Sequence, residues 1–185
     1  MSKNNLVAMP LTKEFEFGDL TLQLRLDGKS ILNIEKRLDE GIMGLFVKKQ
    51  GELKLPPANS LLIILQGANK TSGVTDKVMV DAFEKYIDSG KTTMDLFAEI
   101  NDFLDESGFF RKEKNGERRD KWGISGSGSN RGGKHAVTYS TLSELLEAMY
   151  PQAVEAGIPA SEYWLMTFDE LMVQIQANKS VKKTS

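Results

Sequence analysis

Glu14-Phe15-Glu16-Phe17-Gly18-Asp19-Leu20-Thr21-Leu22-Gln23-Leu24-Arg25-Leu26 decides how the chain starts to fold. Polar and apolar residues alternate over 14–17 and again over 21–26, so each run puts its apolar side chains on one face of a strand. Gly18-Asp19 is the turn between them, and Asp27-Gly28 ends the second strand. A hairpin with one greasy face needs a cover, and the residues that follow supply helices. Ser30 is placed to cap the first, with Ile31, Ile34 and Leu38 at helical spacing. Gly51 suggests the turn of a short strand pair between Leu45 and Leu55.

Pro56-Pro57 stops that pair, and Pro57 suits a first helical position. The run Leu61-Leu62-Ile63-Ile64-Leu65 reads as a buried central helix, with a buried strand as the alternative. Thr75 caps a helix whose Met79, Ala82, Phe83, Tyr86 and Ile87 share a face, and Gly90 ends it. Thr92 with Asp95 fits a capping box ahead of Leu96, Ile100, Phe103 and Leu104, and Gly108 closes that stripe. The expected first module, residues 1–110, is therefore a small N-terminal β-hairpin or sheet with about four helices.

Charge divides the rest. The net charge of -2 over 185 residues is the sum of -4 over 1–110, +5 over 111–137 and -3 over 138–185. The middle part holds six of the 16 glycines and the run Gly123-Ile124-Ser125-Gly126-Ser127-Gly128-Ser129. Such composition reads as a flexible basic linker. The last part, 138–185, reads as a small helical C-terminal module. Thr141 with Glu144 fits one capping box, Pro151 is expected to end or kink the helix behind it, and Gly157 and Pro159 mark a stop. Thr167 with Glu170 fits another box, and Met166 and Leu171 stand at the positions of a hydrophobic staple. Roughly 40 residues rarely hold a core alone, so this module needs the first module, another copy or another protein. The expected fold class is α+β, mainly α.

Composition excludes much chemistry. With 40% hydrophobic and 27% charged residues the chain can bury a core. It has no Cys and one His, which removes disulfides, thiol nucleophiles and Cys/His zinc sites. No apolar run approaches the roughly 18 residues of a membrane span, and Met1 to Lys13 lacks the pattern of a secretory signal. His135 lies in Arg131-Gly132-Gly133-Lys134-His135, where glycines do not hold a base in place. Gly128 to Gly133 has the spacing of a phosphate loop and Lys134 follows, but His135 stands where the magnesium-binding hydroxyl belongs. Lys112, Lys114, Arg118, Arg119, Lys121, Trp122 and Arg131 offer cations and one aromatic to a nucleic acid, yet without an organised face they read first as a soluble tether. The pairs Glu35/Asp39 and Glu99/Asp102 read as solvated helix faces rather than acid–base pairs. These features point to a protein that binds rather than catalyses, with no cofactor and no metal.

Tyr163-Trp164-Leu165-Met166 is the segment with the most to offer a partner. Four bulky residues in a row cannot all point inward, and Trp, Tyr and Met are enriched in interface cores. With Phe168 and Leu171 they form the candidate partner-binding residues, packing of the module's own core being the plainer reading.

The hairpin Phe15 to Leu26, the run Gly28-Lys29-Ser30-Ile31 through Glu35-Lys36-Arg37-Leu38 and the helices to Phe110 resemble the tail assembly chaperones of long-tailed bacteriophages of Gram-positive bacteria. Gly157-Ile158-Pro159, Glu162 to Thr167 and Glu170-Leu171 look like the extension of the long form of these chaperones. The resemblance implies a chaperone that coats the tape measure protein through residues 1–110. Its extension, appended by ribosomal frameshifting near Arg111, recruits major tail protein. It further implies work in the host cell cytoplasm and absence from the mature virion, with self-association left open and no membrane. A nucleic-acid-binding accessory protein using the basic linker is the alternative.

Overall fold

A computed structural model describes residues 12–46, 55–107 and 141–182. The linker candidates, including Lys112 to Lys121, Trp122, the glycines around Gly128, Arg131, Lys134 and His135, lie outside the described residues. The fold is α+β and mainly α. A two-stranded antiparallel sheet, β1 (Lys13–Phe17) and β2 (Leu20–Leu24), precedes α1 (Gly28–Leu38), α2 (Ile42–Phe46), α3 (Ala58–Ala68), α4 (Asp76–Asp88) and α5 (Thr93–Glu106). After the undescribed stretch come α6 (Leu142–Glu155), α7 (Ala160–Tyr163) and α8 (Phe168–Lys182).

The hairpin closes as its alternation requires. Phe17 pairs with Leu20 and Phe15 with Leu22, so Gly18-Asp19 is the whole turn, and Phe15, Phe17, Leu22 and Leu24 are buried. Gly18 has φ +62°, and a Cβ there would lie 2.2 Å from the carbonyl oxygen of Ala82 in α4. The turn is thus pressed onto α4, and no side chain fits. Gly18→Ala combines left-handed strain with overpacking, and a loss of ~2–4 kcal/mol in urea denaturation is expected. A change below ~0.5 kcal/mol would mean that the turn can lift off α4 freely.

The helices pack over the sheet's apolar face. In α3 the buried residues are Leu61, Ile64, Leu65 and Ala68, a helical i, i+3, i+4, i+7 stripe, which decides between helix and strand for that run. Gly67 lets α3 approach α1 closely, since a Cβ there would sit 2.2 Å from Cγ1 of Ile34. The expected caps at Thr75, Thr92 with Asp95, and Thr167 with Glu170 are made by those side chains, and Thr141 accepts from the Glu144 amide. At the end of α6, Gly157 (φ +88°) and Ile158 donate to the carbonyls of Val154 and Ala153, a left-handed cap with Ile158 and Ala153 both buried.

Three expectations are corrected. The cap of α1 is Asp27, whose carboxylate accepts from the Ser30 amide at 2.8 Å, while Ser30 lies inside the helix and accepts from Lys70 Nζ. The strand pair between Leu45 and Leu55 does not start as a strand. Ile42, Leu45 and Phe46 are buried on one face of the short helix α2, an i, i+3, i+4 set. Residues 47–54 lie outside the described residues. Of the two outcomes expected at Pro151, an end or a kink, the end is overturned, since α6 runs on to Glu155. The missing amide of Pro151 forfeits one bond to the Glu147 carbonyl. Burial of Ala153, Ala156 and Ile158 beyond it holds the helix on.

Residues 142–175 contribute to the same buried cluster as the hairpin and α1–α5, through Leu142, Leu145, Leu146, Met149, Tyr163, Phe168, Leu171 and Ile175. Of the partners open to the C-terminal segment, the structure shows the first module. No helix among the described residues is long and apolar enough to cross a membrane.

Candidate functional site

The C-terminal segment is held by two polar joints on either side of an apolar contact. The first is built on Glu35, which is 7% exposed. Its Oε1 accepts from the amides of Ile42 and Leu142, both at 3.0 Å, and its Oε2 from the amide of Ser143 at 2.8 Å and from the Ser143 hydroxyl. The first amides of a helix have no partner within it. In α6, Leu142 and Ser143 donate to Glu35, Glu144 donates to Thr141 Oγ1, and Leu145 donates to the Thr141 carbonyl. One carboxylate from α1 thus completes the start of α6 and also holds the first amide of α2, at ends whose dipoles favour negative charge. Glu35 was expected on a solvated face. It stands four residues after the buried Ile31, on the core side of α1, and α6 closes over it.

The second joint is built on Arg25, 6% exposed at the end of the hairpin. Its guanidinium donates Nη1 to Glu170 Oε1 at 3.0 Å and Nη2 to Glu170 Oε2 at 2.5 Å and to the Leu165 carbonyl at 2.9 Å. Its Nε lies 4.0 Å from Asp27, whose carboxylate is also 2.8 Å from Lys70 Nζ. Around these charges the backbones meet directly. Gly28 donates to the Met166 carbonyl at 3.2 Å and Lys29 to the Trp164 carbonyl at 2.8 Å. Burial raises the Glu170 carboxyl, but the Arg25 bonds and the Thr167 amide outweigh it and hold the group below the ordinary glutamate range. A cavity of about 280 Å³ between the hairpin, α5 and the start of α8 is lined in part by Arg25, Thr167 and Glu170, and another of about 210 Å³ lies beside β1 and α5.

The six candidate partner-binding residues divide. Tyr163, Phe168 and Leu171 are buried, and the Tyr163 hydroxyl donates to the Leu146 carbonyl at 2.5 Å, burial pushing the phenol upward in pKa. Trp164 and Met166 are half-buried, and Leu165 is 54% exposed. Trp164 stacks on the half-buried Tyr150 at 6.0 Å between ring centroids and meets Tyr163 edge-on at 4.8 Å. A Cβ on Gly28 would come within 3.2 Å of the indole, so the aromatic cluster is seated on the start of α1. What the segment leaves to a partner is Leu165 with the outer edges of Trp164, Tyr150 and Met166. Tyr150 was not among the candidates. Its signal was its place one residue after Met149 on the rim of the α6 stripe.

Of the remaining acidic pairs, Asp39 and Asp102 are exposed. Glu99 is half-buried and accepts from the Tyr86 hydroxyl at 3.2 Å and from Lys91 Nζ at 2.7 Å. A family model described as a family of unknown function (DUF6096) matches residues 9–122. No curated protein and no solved structure matches the chain.

Proposed function

Starting from a chain that belongs to the DUF6096 family, a family of unknown function, we propose that it is the long form of a phage tail assembly chaperone. In this reading the first module binds the tape measure protein and the C-terminal segment recruits major tail protein during tube assembly. It works in the host cell cytoplasm as a binding protein rather than an enzyme and leaves before the virion matures.

The observation that carries the reading is the way residues 141–182 are attached. Charged groups of the first module, the buried Arg25 and Glu35, bond to this segment, and Leu165 stays exposed next to Trp164, whose ring stacks on Tyr150. Such an attachment suits a recruiting element fixed by its polar ends, with Leu165 left to a partner. The matched family span ends at residue 122, ahead of the docked segment, which suits a core module carrying an extension.

Co-purification with the cognate tape measure and tail tube proteins tests the reading. The intact chain should retain both. Leu165→Glu alters an exposed position, so stability should stay within ~0.5 kcal/mol. Tube-protein recovery should fall by about tenfold, the effect of a lost interface contact of ~1.4 kcal/mol, while the tape measure is retained. Recovery of neither protein by the intact chain would end the chaperone reading. Undiminished tube-protein recovery with the variant would remove Leu165 from the interface.

A further inference from the structure

The outer side of α4 carries an apolar stripe that the described residues leave uncovered. Val80, Phe83 and Ile87 stand at i, i+3 and i+7, on one side of two turns. Val80 is 48% and Ile87 38% exposed, and Phe83 is half-buried with its ring stacked on Phe17 at 6.4 Å. Single exposed apolar residues need no explanation, but a stripe in line with a helix axis is the shape that another helix packs against. Its border is acidic. Asp81, Glu84 and Asp88 are exposed and, within the described residues, none pairs with a base, whereas Lys85 is held by Asp19 and Asp76 by Arg37. Lys77 is the only cation left on that border among the described residues, so the border is net negative.

We propose that this face of α4 is the docking surface for an amphipathic client helix whose apolar stripe is bordered by Lys and Arg. The inference deepens the chaperone reading and rests on it for the client's biological identity. The chemistry of the surface stands by itself. Three side chains over two turns bury a few hundred Å², well below the ~1,200 Å² of a stable pairwise interface. Each contact is therefore weak, and strong binding needs many copies along a long client with a repeating stripe, as on a coat. The acidic border supplies the selection, since a client bordered by Glu and Asp is repelled.

The test uses the full chain and two synthetic helical peptides of about 18 residues, five turns. They share a Leu stripe at i, i+3, i+4 and i+7 and differ only in Lys or Glu borders. The Lys-bordered peptide should bind at least about tenfold tighter by NMR titration, with the preference falling as salt rises. Val80→Ser with Ile87→Ser should abolish binding of both peptides, and the preference with it, without lowering the melting temperature. Glu84→Lys with Asp88→Lys should reverse the preference, a result that a merely disturbed fold would not give. Equal binding of the two peptides, or a preference untouched by either variant pair, overturns the proposal, as does a self-association of the intact chain that Ile87→Glu dissolves. A tape measure protein retained equally by the intact chain and the Val80/Ile87 variant also overturns it, yet leaves the chaperone reading standing. Failure of the intact chain to retain that protein, with the peptide preference present, fails the chaperone reading alone.

Discussion

Glu35→Ala should cost about 3 kcal/mol or more in urea denaturation and should release α6 before anything else unfolds. The carboxylate receives three backbone amides and one hydroxyl. Removing it leaves the amides of Ile42, Leu142 and Ser143 without an acceptor in a site that is 7% exposed at Glu35. A buried donor left unpaired costs ~1–3 kcal/mol. Three would cost more than the segment is worth, so the segment should lift and admit water, which caps the loss. Hydrogen exchange separates the two parts of the effect. Amides of 142–155 should lose protection by orders of magnitude while those of α3 and β2 lose only what the global change requires. Glu35→Gln keeps one acceptor oxygen and turns an amide group toward donors, so it should fall between the two. A Glu35→Ala protein within ~0.5 kcal/mol of the parent, with α6 equally protected, would show that the segment is held by its apolar residues alone.

Glu35 also marks where the sequence stops being readable. Its position four residues after Ile31 places it on the core side of α1, and local rules assign a glutamate there to solvent. The partners that make its burial tolerable lie 107 and 108 residues away. Arg25 is the same case. Alternation through Gln23 and Leu24 turns it toward water, and Glu170, 145 residues on, covers it instead. The features that could be read were the ones whose cause is local. The boxes at Thr92 and Thr167, the cap at Thr75 and the turn at Gly18 each need residues within a few positions. The errors over Ser30 and the strand start at Leu45 are of local rank, where a stronger neighbour, Asp27 or the Ile42/Leu45/Phe46 face, took the role. For the candidate site, bulk picked out the segment 163–171. It could not say that Tyr163, Phe168 and Leu171 turn inward and Leu165 outward, because that follows from how the segment seats on Gly28 and Lys29.

The two joints also say how the segment is meant to stay on. An apolar contact alone would tolerate sliding, whereas a carboxylate that fits one helix start and a guanidinium that fits one carboxylate admit a single register. On the proposed chaperone reading this matters more than strength, since the position of Leu165 relative to the first module is then fixed. Specificity of this kind comes at a cost in stability, because burying the charges is itself unfavourable.

That cost predicts an asymmetry at the second joint. Arg25 is 6% exposed and the Glu170 side chain 39%. Glu170→Ala therefore strands the buried partner and should cost about 3 kcal/mol, the Leu165 carbonyl and the more distant Asp27 compensating only in part. Replacing both with methionine removes the charges together and fills the space. That double variant should come within ~1 kcal/mol of the parent, or exceed it, while α8 loses its fixed register. The pH dependence has a definite sign. Glu170 is held below its ordinary value of 4.5, so at mild acidity the unfolded chain binds the proton more readily than the folded one. The stabilisation from the pair is complete above the unfolded value and is lost as pH falls through the lower, folded one. Its size is discounted because the carboxylate is partly solvated. The stability gap between parent and Glu170→Ala should accordingly be constant from neutral pH down to about 5 and narrow below 4.5. A gap that does not change with pH would mean that Arg25 is held by geometry rather than by the charge of Glu170, and the double methionine variant would then be destabilised like the single one.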